Sequence, residues 1–378
     1  MSQPESIAWI SCVGEKGGAE TLMMECLREL DRTRFRPLVI QLRPGPLTKM
    51  LEGVGVEVEV LETHRMREVH KVAGAIGAIA GIARRRGIRL LHSNGFRAHV
   101  YGGLAAALAG IAEVWTTHTV EQDHPSTDAI LAIPTDHVLA NCPRTQEYFE
   151  RAGKETSLVW PGVNGAVLDR HVASVPRAEL ATAYGLPMGK KWITVGARLQ
   201  RFKGQDQFLR ALAEVIRGGD QDVHGIVVGG SLFGQESDYQ RELRELAVAL
   251  GIAGQVTFTG FVPDAHVAAL LAASVLVVHP ALEEDFGLTV AEAQALGVPV
   301  VAYAAVGPAA IIEDGKTGWL VPLGDVAGLG AKLRSVLASV PLLVKAGEEG
   351  RKRSRGEFGA DRHARLTEAI YERALSRV

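Results

Sequence analysis

The amino-acid sequence predicts an α/β protein of two Rossmann-like, doubly wound domains that face each other across a cleft. Short β-rich runs alternate with helical segments along the chain, which is typical of parallel sheets covered by helices. The alternation restarts after a segment rich in Pro and Gly at 161–165, so we expect two such units. A chain of 378 residues is long enough for each unit to bury its own core.

The apolar runs of the first half predict seven strands, joined mostly by helices. They lie at Ser6–Val13, Arg36–Gln41, Val56–Leu61, Arg89–Ser93, Glu113–Thr117, His137–Ala140 and Thr156–Val159. The second half predicts six more strands, at Trp192–Gly196, Gly225–Gly229, Val256–Thr259, Val275–His279, Val298–Tyr303 and Gly318–Val321. Between the two sets, regular structure is expected to resume only near Arg177.

The best linker is Pro161–Gly165, because Pro and Gly interrupt regular structure. We therefore expect a first domain over residues 1–165 and a second over 166–357. Residues 358–378 form a charged amphipathic pattern that predicts a C-terminal helix. This helix either packs on one of the domains or frays at its end. We expect it to pack on the first domain.

Composition excludes several classes of protein. A net charge of −2 gives no global attraction to nucleic acid. Cys12, Cys26 and Cys142 are too scattered for a disulfide framework or a zinc site. The N-terminal segment lacks a basic leader, and no run has the length and apolar density of a membrane span. We expect a cytoplasmic protein with no metal centre and no cofactor.

The most informative stretch is Pro280–Ala293, which sets two carboxylates on either side of a predicted helix start. Glu284 lies in the loop after a buried strand, and Glu292 lies inside the helix. The N–H groups of residues 286–288 are expected in the first turn, where they lack intrahelical partners and attract an anion. The pattern favours a binding site for a sugar nucleotide. An acidic loop before an ordinary amphipathic helix is the alternative.

A second cluster follows the first strand of the second half. Arg198 and Lys203 lie between Gly196 and Gly204, and two cations in such a loop can neutralise a diphosphate. Arg201, in the same loop, is more typical of a solvated side chain.

In the first half, Gly17 and Gly18 follow the first strand and open a helix, where they let backbone approach a phosphate or sugar closely. The loop lacks the G-x-G-x-x-G spacing, which disfavours a nicotinamide or flavin site. A tight packing turn is the alternative. His118 follows another strand and can hydrogen-bond a sugar hydroxyl, although a structural histidine would also fit there.

Two acidic groups resemble metal ligands by residue type alone. Glu121, Asp123 and His124 share one loop, but without a spacing that supports a metal site. Asp220 and Asp222 form a D-x-D pattern in a Gly-rich turn, where a solvated turn is the better interpretation.

The helix near Val69–Arg85 has basic residues at both ends. They are Arg65, Arg67, His70, Lys71, Arg84, Arg85 and Arg86. Such clusters can dock an anionic membrane surface or a lipid-linked acceptor. More often they belong to a solvated helix whose last-turn cations suit its dipole.

Together these motifs resemble the family 4 glycosyltransferases, a group of retaining, metal-independent enzymes with the two-Rossmann glycosyltransferase B fold. The resemblance covers nearly the whole chain. It rests on Gly17–Glu20, Gly196–Leu199, Lys203–Gly204, Val228–Gly230, Thr259–Phe261 and the Glu-x7-Glu signature of Glu284 to Glu292. The chain departs from the family at Pro161–Asn164 and at Val306–Ala310, where Ala310 replaces an acid.

The resemblance implies a role for each matching position. Arg198 and Lys203 would hold the donor diphosphate, Glu292 the ribose hydroxyls, and Glu284 a hydroxyl of the donor sugar. The remaining matches concern backbone and the acceptor side: Phe286, Gly287 and Leu288 at the phosphates, Phe261 and Val262 at the base, and His118, Gly17 and Gly18 beside the reacting sugar and the acceptor.

The resemblance thus implies an enzyme that moves a hexose-type sugar from a nucleotide-diphosphate sugar to a hydroxyl of a glycan, a lipid-linked molecule or a small molecule. It implies no nucleic-acid partner and leaves peripheral membrane association open. Two alternatives stay open: a catalytically silent nucleotide-sugar-binding subunit, and an enzyme like sucrose-phosphate synthase with a sugar-phosphate acceptor.

Overall fold

The structure is a computed structural model that describes residues 3–63, 69–118, 127–230 and 237–378. It divides into two compact units. The first comprises Met1–Gly162 and Ala360–Val378, and the second comprises Val163–Gly359.

The first unit contains a seven-stranded parallel sheet. Its strands are β1 (Glu5–Ser11), β2 (Phe35–Gln41), β3 (Glu57–Val60), β4 (Leu90–Asn94), β5 (Ala112–Thr117), β6 (His137–Ala140) and β7 (Thr156–Leu158), in the spatial order β3-β2-β1-β4-β5-β6-β7. Its helices are α1 (Gly18–Glu29), α2 (Pro46–Gly53), α3 (Val69–Arg86), α4 (Phe96–Ala109), α5 (Thr127–Leu131) and α6 (Pro143–Arg151).

The second unit repeats the plan with six parallel strands. They are β8 (Lys191–Gly196), β9 (Val223–Val228), β10 (Val256–Gly260), β11 (Leu276–His279), β12 (Val300–Tyr303) and β13 (Gly318–Val321), in the order β10-β9-β8-β11-β12-β13. Its helices are α7 (Gly165–Ser174), α8 (Arg177–Tyr184), α9 (Gln205–Arg217), α10 (Ser237–Ala249), α11 (Asp264–Ala272), α12 (Leu288–Ala295), α13 (Val306–Ile311), α14 (Val326–Leu337) and α15 (Val340–Glu357).

Both sheets reverse their strand order at one place, which is where doubly wound sheets bind ligands. In the first unit the reversal lies between β1 and β4, and in the second between β8 and β11. The loops that follow these four strands are therefore the places to look for a site.

The cores explain why these segments form strands. Central strands such as β4 and β9 are buried along their whole length, as parallel strands covered on both faces must be. Trp9 and Trp115 in the first unit and Trp192 in the second are among the largest fully buried side chains. Burial of such large apolar surfaces is the main force that holds each sheet against its helices.

The C-terminal helix α16 (Ala360–Leu375) is part of the first unit. The Tyr371 hydroxyl hydrogen-bonds His92 in the core, and Glu368 accepts hydrogen bonds from the Asp31 amide and the Arg34 side chain. The chain thus enters the second unit after Gly162 and returns to the first at residue 360.

All thirteen predicted strands are present in the described part of the chain, each within two residues of its predicted ends. The prediction for the segment before Arg177 is wrong, because α7 already begins at Gly165. Asn164 caps that helix by accepting a hydrogen bond from the Val167 amide, and Leu168 is its one buried residue. A helix with so narrow an apolar face has little periodic signal in its sequence.

Among the described helices, no single one is long and apolar enough to cross a membrane. One pair, Val326–Leu337 with Val340–Glu357, meets the length and composition criteria only when taken together, and it is bent by 102° at its break.

Candidate functional site

The strand reversal of the second unit brings two loops together. Gly204 has a φ of +72°, and a Cβ there would lie 2.0 Å from the carbonyl oxygen of Pro280. The Leu282 amide donates to the Phe202 carbonyl at 2.8 Å. Because glycine alone permits both the left-handed backbone and this approach, the loop after β8 lies directly against the loop after β11.

This contact joins the two side chains that the sequence singled out. Lys203 Nζ lies 2.7 Å from Glu284 Oε2, and each side chain is only 15% exposed. Lys203 ends a 3₁₀ turn, Arg201–Lys203, that follows β8, whereas Glu284 lies in the loop after β11. The predicted cation and the predicted carboxylate therefore form one ion pair.

A third residue completes the group. His279 is the last residue of β11, is only 3% exposed, and places Nε2 3.0 Å from the same Glu284 Oε2. Sequence reasoning missed this histidine, since it reads as the end of a buried strand. The available signal was a polar residue at the carboxyl end of an apolar run, just where such sheets carry their ligands.

The electrostatics of Glu284 follow from these contacts. Burial alone would raise the pKa of its carboxyl group, but the hydrogen bond and charge of His279 and the charge of Lys203 hold it at about 2. Glu284 is therefore an anion throughout the neutral range. It is suited to accept hydrogen bonds from hydroxyl groups and unsuited to donate a proton.

Helix α12 begins at Leu288, where the helical apolar spacing of the sequence also begins. Phe286 and Gly287 precede the helix, so the expectation that their amides lie in its first turn is wrong. Gly287 is the N-cap residue, with a φ of +94° that glycine adopts without strain. The Phe286 ring is buried against Phe358, so its side chain is part of the packing of the second unit.

Two further predicted donor residues lie near the same loops. Arg198 is exposed, and the described residues provide it with no ion-pair partner, while its carbonyl oxygen accepts a hydrogen bond from Gln205. Glu292 lies inside α12, as predicted, and is half-buried. The structure brings Lys203 and Glu284 into contact, while Arg198 precedes the 3₁₀ turn of Lys203 and Glu292 lies in the helix that follows the Glu284 loop.

The predicted base-binding residues follow β10. Phe261 is 60% exposed, although it is a large aromatic side chain. A Cβ on Gly230 would lie 2.7 Å from its ring, so the ring covers the glycine turn after β9. Val262, by contrast, packs against the core of the second unit. Phe261 therefore presents an accessible aromatic ring, whereas the Val262 side chain belongs to the packing of the core.

The first unit holds the remaining predicted residues. Gly17 caps α1, and its amide already donates to Glu20 Oε2 at 3.0 Å, while Gly18 is exposed. A Cβ on Gly14 would lie 2.3 Å from the carbonyl oxygen of Pro44. Close packing against Pro44 therefore explains the glycine at position 14, while Gly18 in the same turn is exposed.

His118 follows β5 and is held by residues at the carboxyl ends of the two neighbouring strands. Its Nε2 lies 2.9 Å from Asn94 Oδ1, and its carbonyl oxygen accepts from Asn141 Nδ2 at 2.8 Å. Burial, and then the nearby His363, lower the pKa of His118 to about 4. The imidazole is therefore neutral at physiological pH, so one ring nitrogen can accept a hydrogen bond from a hydroxyl group.

Of the two acidic groups that resemble metal ligands, the structure describes the one with Asp220 and Asp222. Asp220 pairs with Lys191 and Asp222 with Lys190, each at 3.4 Å. No group of three or more possible metal-ligating side chains occurs in the described ranges. The loop with Glu121, Asp123 and His124 lies outside them.

Part of the positive charge of helix α3 is paired or hydrogen-bonded within the protein. Arg86 pairs with Glu57 and Glu59, and Arg84 donates to the Leu108 carbonyl. Arg65 and Arg67 lie outside the described residues. Two of the three arginines at the end of α3 thus have internal partners.

Comparisons with known proteins agree with this architecture. Residues 176–353 match the family described as Glycosyl transferases group 1, and residues 16–166 match Glycosyltransferase Family 4. A D-inositol 3-phosphate glycosyltransferase of Streptomyces scabiei is 29% identical over 398 residues, covering 96% of this chain and 87% of the relative.

Two solved structures are similar over the whole chain. HepE of Anabaena, solved in complex with UDP and glucose, has a TM-score of 0.82 at 23% identity, with 97% of this chain and 100% of that chain covered. A glycosyltransferase of Rickettsia africae has a TM-score of 0.86 at 20% identity, with 100% of both chains covered. At these identities the two structures support the fold, namely two Rossmann-like domains.

Proposed function

The chain belongs to the family 4 glycosyltransferases, and we propose that it is a retaining, metal-independent enzyme that moves a hexose-type sugar from a nucleotide-diphosphate sugar to a hydroxyl acceptor. The observation that carries the proposal is the ion pair of Lys203 and Glu284 at the strand reversal between β8 and β11. It offers a cation to a diphosphate and a carboxylate to the hydroxyl groups of a sugar.

We assign the donor diphosphate to Lys203, Arg198 and the backbone at the start of α12. Arg198 is exposed and without an ion-pair partner in the described chain, so its planar fork is available for two phosphate oxygens. The amides of Gly287 and Leu288 lie at the positive end of the α12 dipole. The proposal thus gives the diphosphate three sources of positive potential, which lie in the loops after β8 and β11 and at the start of α12.

We assign the rest of the donor to neighbouring groups. Glu284 would accept from a hydroxyl of the transferred sugar, and Glu292 from the ribose. The exposed ring of Phe261 would meet the base by stacking, which is tolerant of base identity. The similar HepE was solved with UDP and glucose, which supports a nucleotide-diphosphate sugar as the donor class.

Retention follows if the acceptor attacks on the face from which the phosphate leaves, with the departing phosphate taking the acceptor's proton. No protein nucleophile is then needed, and Glu284, held as an anion, serves to position the sugar. Charge on the leaving diphosphate is neutralised by Lys203 and Arg198, which is the task a metal performs in other sugar transferases. In the first unit we assign the acceptor to the turn at Gly17 and Gly18 and to His118.

A sugar-phosphate or polyol-phosphate acceptor is the second candidate, and one observation favours it. Arg43 and Arg97 follow β2 and β4, on either side of β1, and both are exposed. Cys12 follows β1, and burial raises its pKa to about 12; Arg97 and Arg43 oppose that rise, whereas Glu20 adds to it. Two cations at this edge would suit an anionic acceptor, and the similar S. scabiei protein is named for an inositol phosphate.

We place the enzyme in the cytoplasm, and its three free cysteines support a reducing compartment. Peripheral membrane association through α3 is the weaker proposal, since Arg84 and Arg86 bond within the protein. A catalytically silent subunit is disfavoured because Arg198, Lys203, Glu284 and Glu292 are all present.

A thermal-shift panel of UDP-, GDP-, ADP- and dTDP-sugars tests the proposal. A donor at about 100 times its dissociation constant is expected to add about 2.7 kcal/mol to the free energy of unfolding. Donor turnover with a panel of free and phosphorylated sugars and polyols then separates the two acceptor classes and the silent subunit. Failure of every sugar nucleotide to raise the melting temperature would remove the donor assignment.

A further inference from the structure

One oxygen of Glu284 receives two hydrogen bonds. Lys203 Nζ and His279 Nε2 both donate to Oε2, at 2.7 and 3.0 Å. The other oxygen, Oε1, accepts no hydrogen bond from the described residues. The carboxylate is therefore anchored at one oxygen and has a lone-pair face left for a ligand.

The two donors differ in how firmly they are held. His279 belongs to β11, where it is paired in register with Ala302 of β12, and its side chain is buried. Lys203 lies at the end of a short 3₁₀ turn and carries its charge on a flexible four-carbon stem. Lys203 can turn to another anion within reach, whereas His279 can donate only near its present position.

A bound donor would compete for Lys203, because a diphosphate carries more negative charge than one carboxylate. When Lys203 turns to the phosphates, Glu284 keeps only the hydrogen bond from His279. Without that bond the carboxylate would be free to rotate about its last torsion, which is broad and has little intrinsic preference. The direction of Oε1 then depends on His279.

We infer that His279 is a positioning residue of the donor site, which holds Glu284 Oε2 when Lys203 binds the diphosphate and so keeps Oε1 directed at a hydroxyl of the donor sugar. The inference deepens the proposed function and rests on it. It gives His279 no contact with substrate. Its effect is confined to the sugar, since the diphosphate is bound by other groups.

The test compares binding of each nucleoside diphosphate with binding of its sugar. We would titrate UDP against UDP-glucose and UDP-N-acetylglucosamine, GDP against GDP-mannose, ADP against ADP-glucose and dTDP against dTDP-glucose, by calorimetry. His279→Leu removes the donor group at similar volume, and His279→Gln restores an N–H at similar reach. His224→Leu is the matched control, because His224 is also buried in the second unit and hydrogen-bonds Thr257 in β10.

His279→Leu is expected to weaken binding of the sugar nucleotide by about 10–100-fold, the range for a hydrogen bond to a charged group, with the diphosphate within about threefold of wild type. His279→Gln should recover most of the loss, and the control should leave the ratio of the two affinities unchanged. In a Glu284→Gln background, His279→Leu should cause little further loss of affinity for the sugar nucleotide.

Equal weakening of diphosphate and sugar nucleotide by His279→Leu would overturn the inference, since it would indicate a structural role alone. A His279→Gln variant as weak as His279→Leu would also overturn it. Wild-type protein that binds none of the nucleotides would instead refute the proposed function, and the inference would fall with it.

Discussion

Replacement of Lys203 by alanine gives the sharpest test of the donor site. Lys203 forms an ion pair with Glu284 at 2.7 Å, and both side chains are largely shielded from water. If Lys203 also binds the leaving diphosphate, its removal takes away positive charge where negative charge develops. We therefore expect a loss of kcat/KM that exceeds the loss of protein stability.

The size of both effects can be worked out. Removal of one preorganised donor at a site of developing charge costs about 10²–10³-fold in rate, or about 2.7–4 kcal/mol. In the folded enzyme without substrate, Glu284 loses one of its two donors but keeps His279. The free energy of unfolding should therefore fall by only about 1.5–3 kcal/mol, the range for a hydrogen bond to a charged group.

The same loss changes the pH dependence of stability. The pKa of Glu284 is held at about 2, below its ordinary 4.5, so the carboxylate adds stability that is present above pH 4.5 and is lost as the pH falls towards 2. Without Lys203 this pKa should rise towards its ordinary value, because burial opposes ionisation. The acid-sensitive part of the stability then shrinks.

The assay is initial-rate kinetics with the donor found in the thermal-shift panel, together with urea unfolding of the same variants. Arg201→Ala is the control, since Arg201 lies in the same 3₁₀ turn but is 62% exposed and pairs with Glu242. It should retain activity within about threefold, as expected for an exposed pair. Lys203→Ala activity near the wild-type value, or an equal loss in both variants, would refute the reasoning.

Three further outcomes are expected. Gly204→Ala should lower the thermal stability of the protein much more than Gly185→Ala. Both glycines have a positive φ, but only Gly204 has backbone atoms within 4 Å of the added carbon. Equal losses of stability in the two variants would contradict this. Burial lowers the pKa of His363 to about 4, so the unfolded chain gains a proton below pH 6.5 and stability falls as the pH drops to 4. His363→Gln should remove about 1.4 kcal/mol per pH unit from that slope in urea unfolding, and an unchanged slope would argue against it. Activity should survive EDTA and the paired substitution of Asp220 and Asp222 by Asn, and loss of turnover in either test would restore a metal site.

The sequence predicts the part of the site that follows from topology. Lys203 and Glu284 are 81 residues apart, yet each follows a strand of the second sheet. Because the carboxyl ends of parallel strands share one edge, a loop after β8 and a loop after β11 meet where these strands pair. The sequence predicts both residues in one donor site, whereas their direct contact follows from the observed strand order.

The parts that the sequence does not predict depend on individual contacts. His279 reads as the end of a strand, and only its distance to Glu284 assigns it to the site. Apolar spacing predicts a helix from Leu288, but the positive φ of Gly287, which places this residue and Phe286 before the helix, is a local backbone feature that the spacing does not predict. Asn94 ends β4 and Asn141 follows β6, the strands on either side of β5, and their bonds to His118 depend on local side-chain geometry.

The departure at Val306–Ala310 leaves the placement of Glu284 supported by the backbone. A Cβ on Gly307 would lie 2.1 Å from the Phe286 carbonyl oxygen, and the Gly307 amide donates to the Glu284 carbonyl at 2.9 Å. The Ala310 carbonyl oxygen accepts a hydrogen bond from the Arg353 side chain at 3.1 Å. These backbone contacts do not depend on an acidic side chain at position 310. The absence of that acid is therefore compatible with the Lys203–Glu284–His279 group that the structure shows.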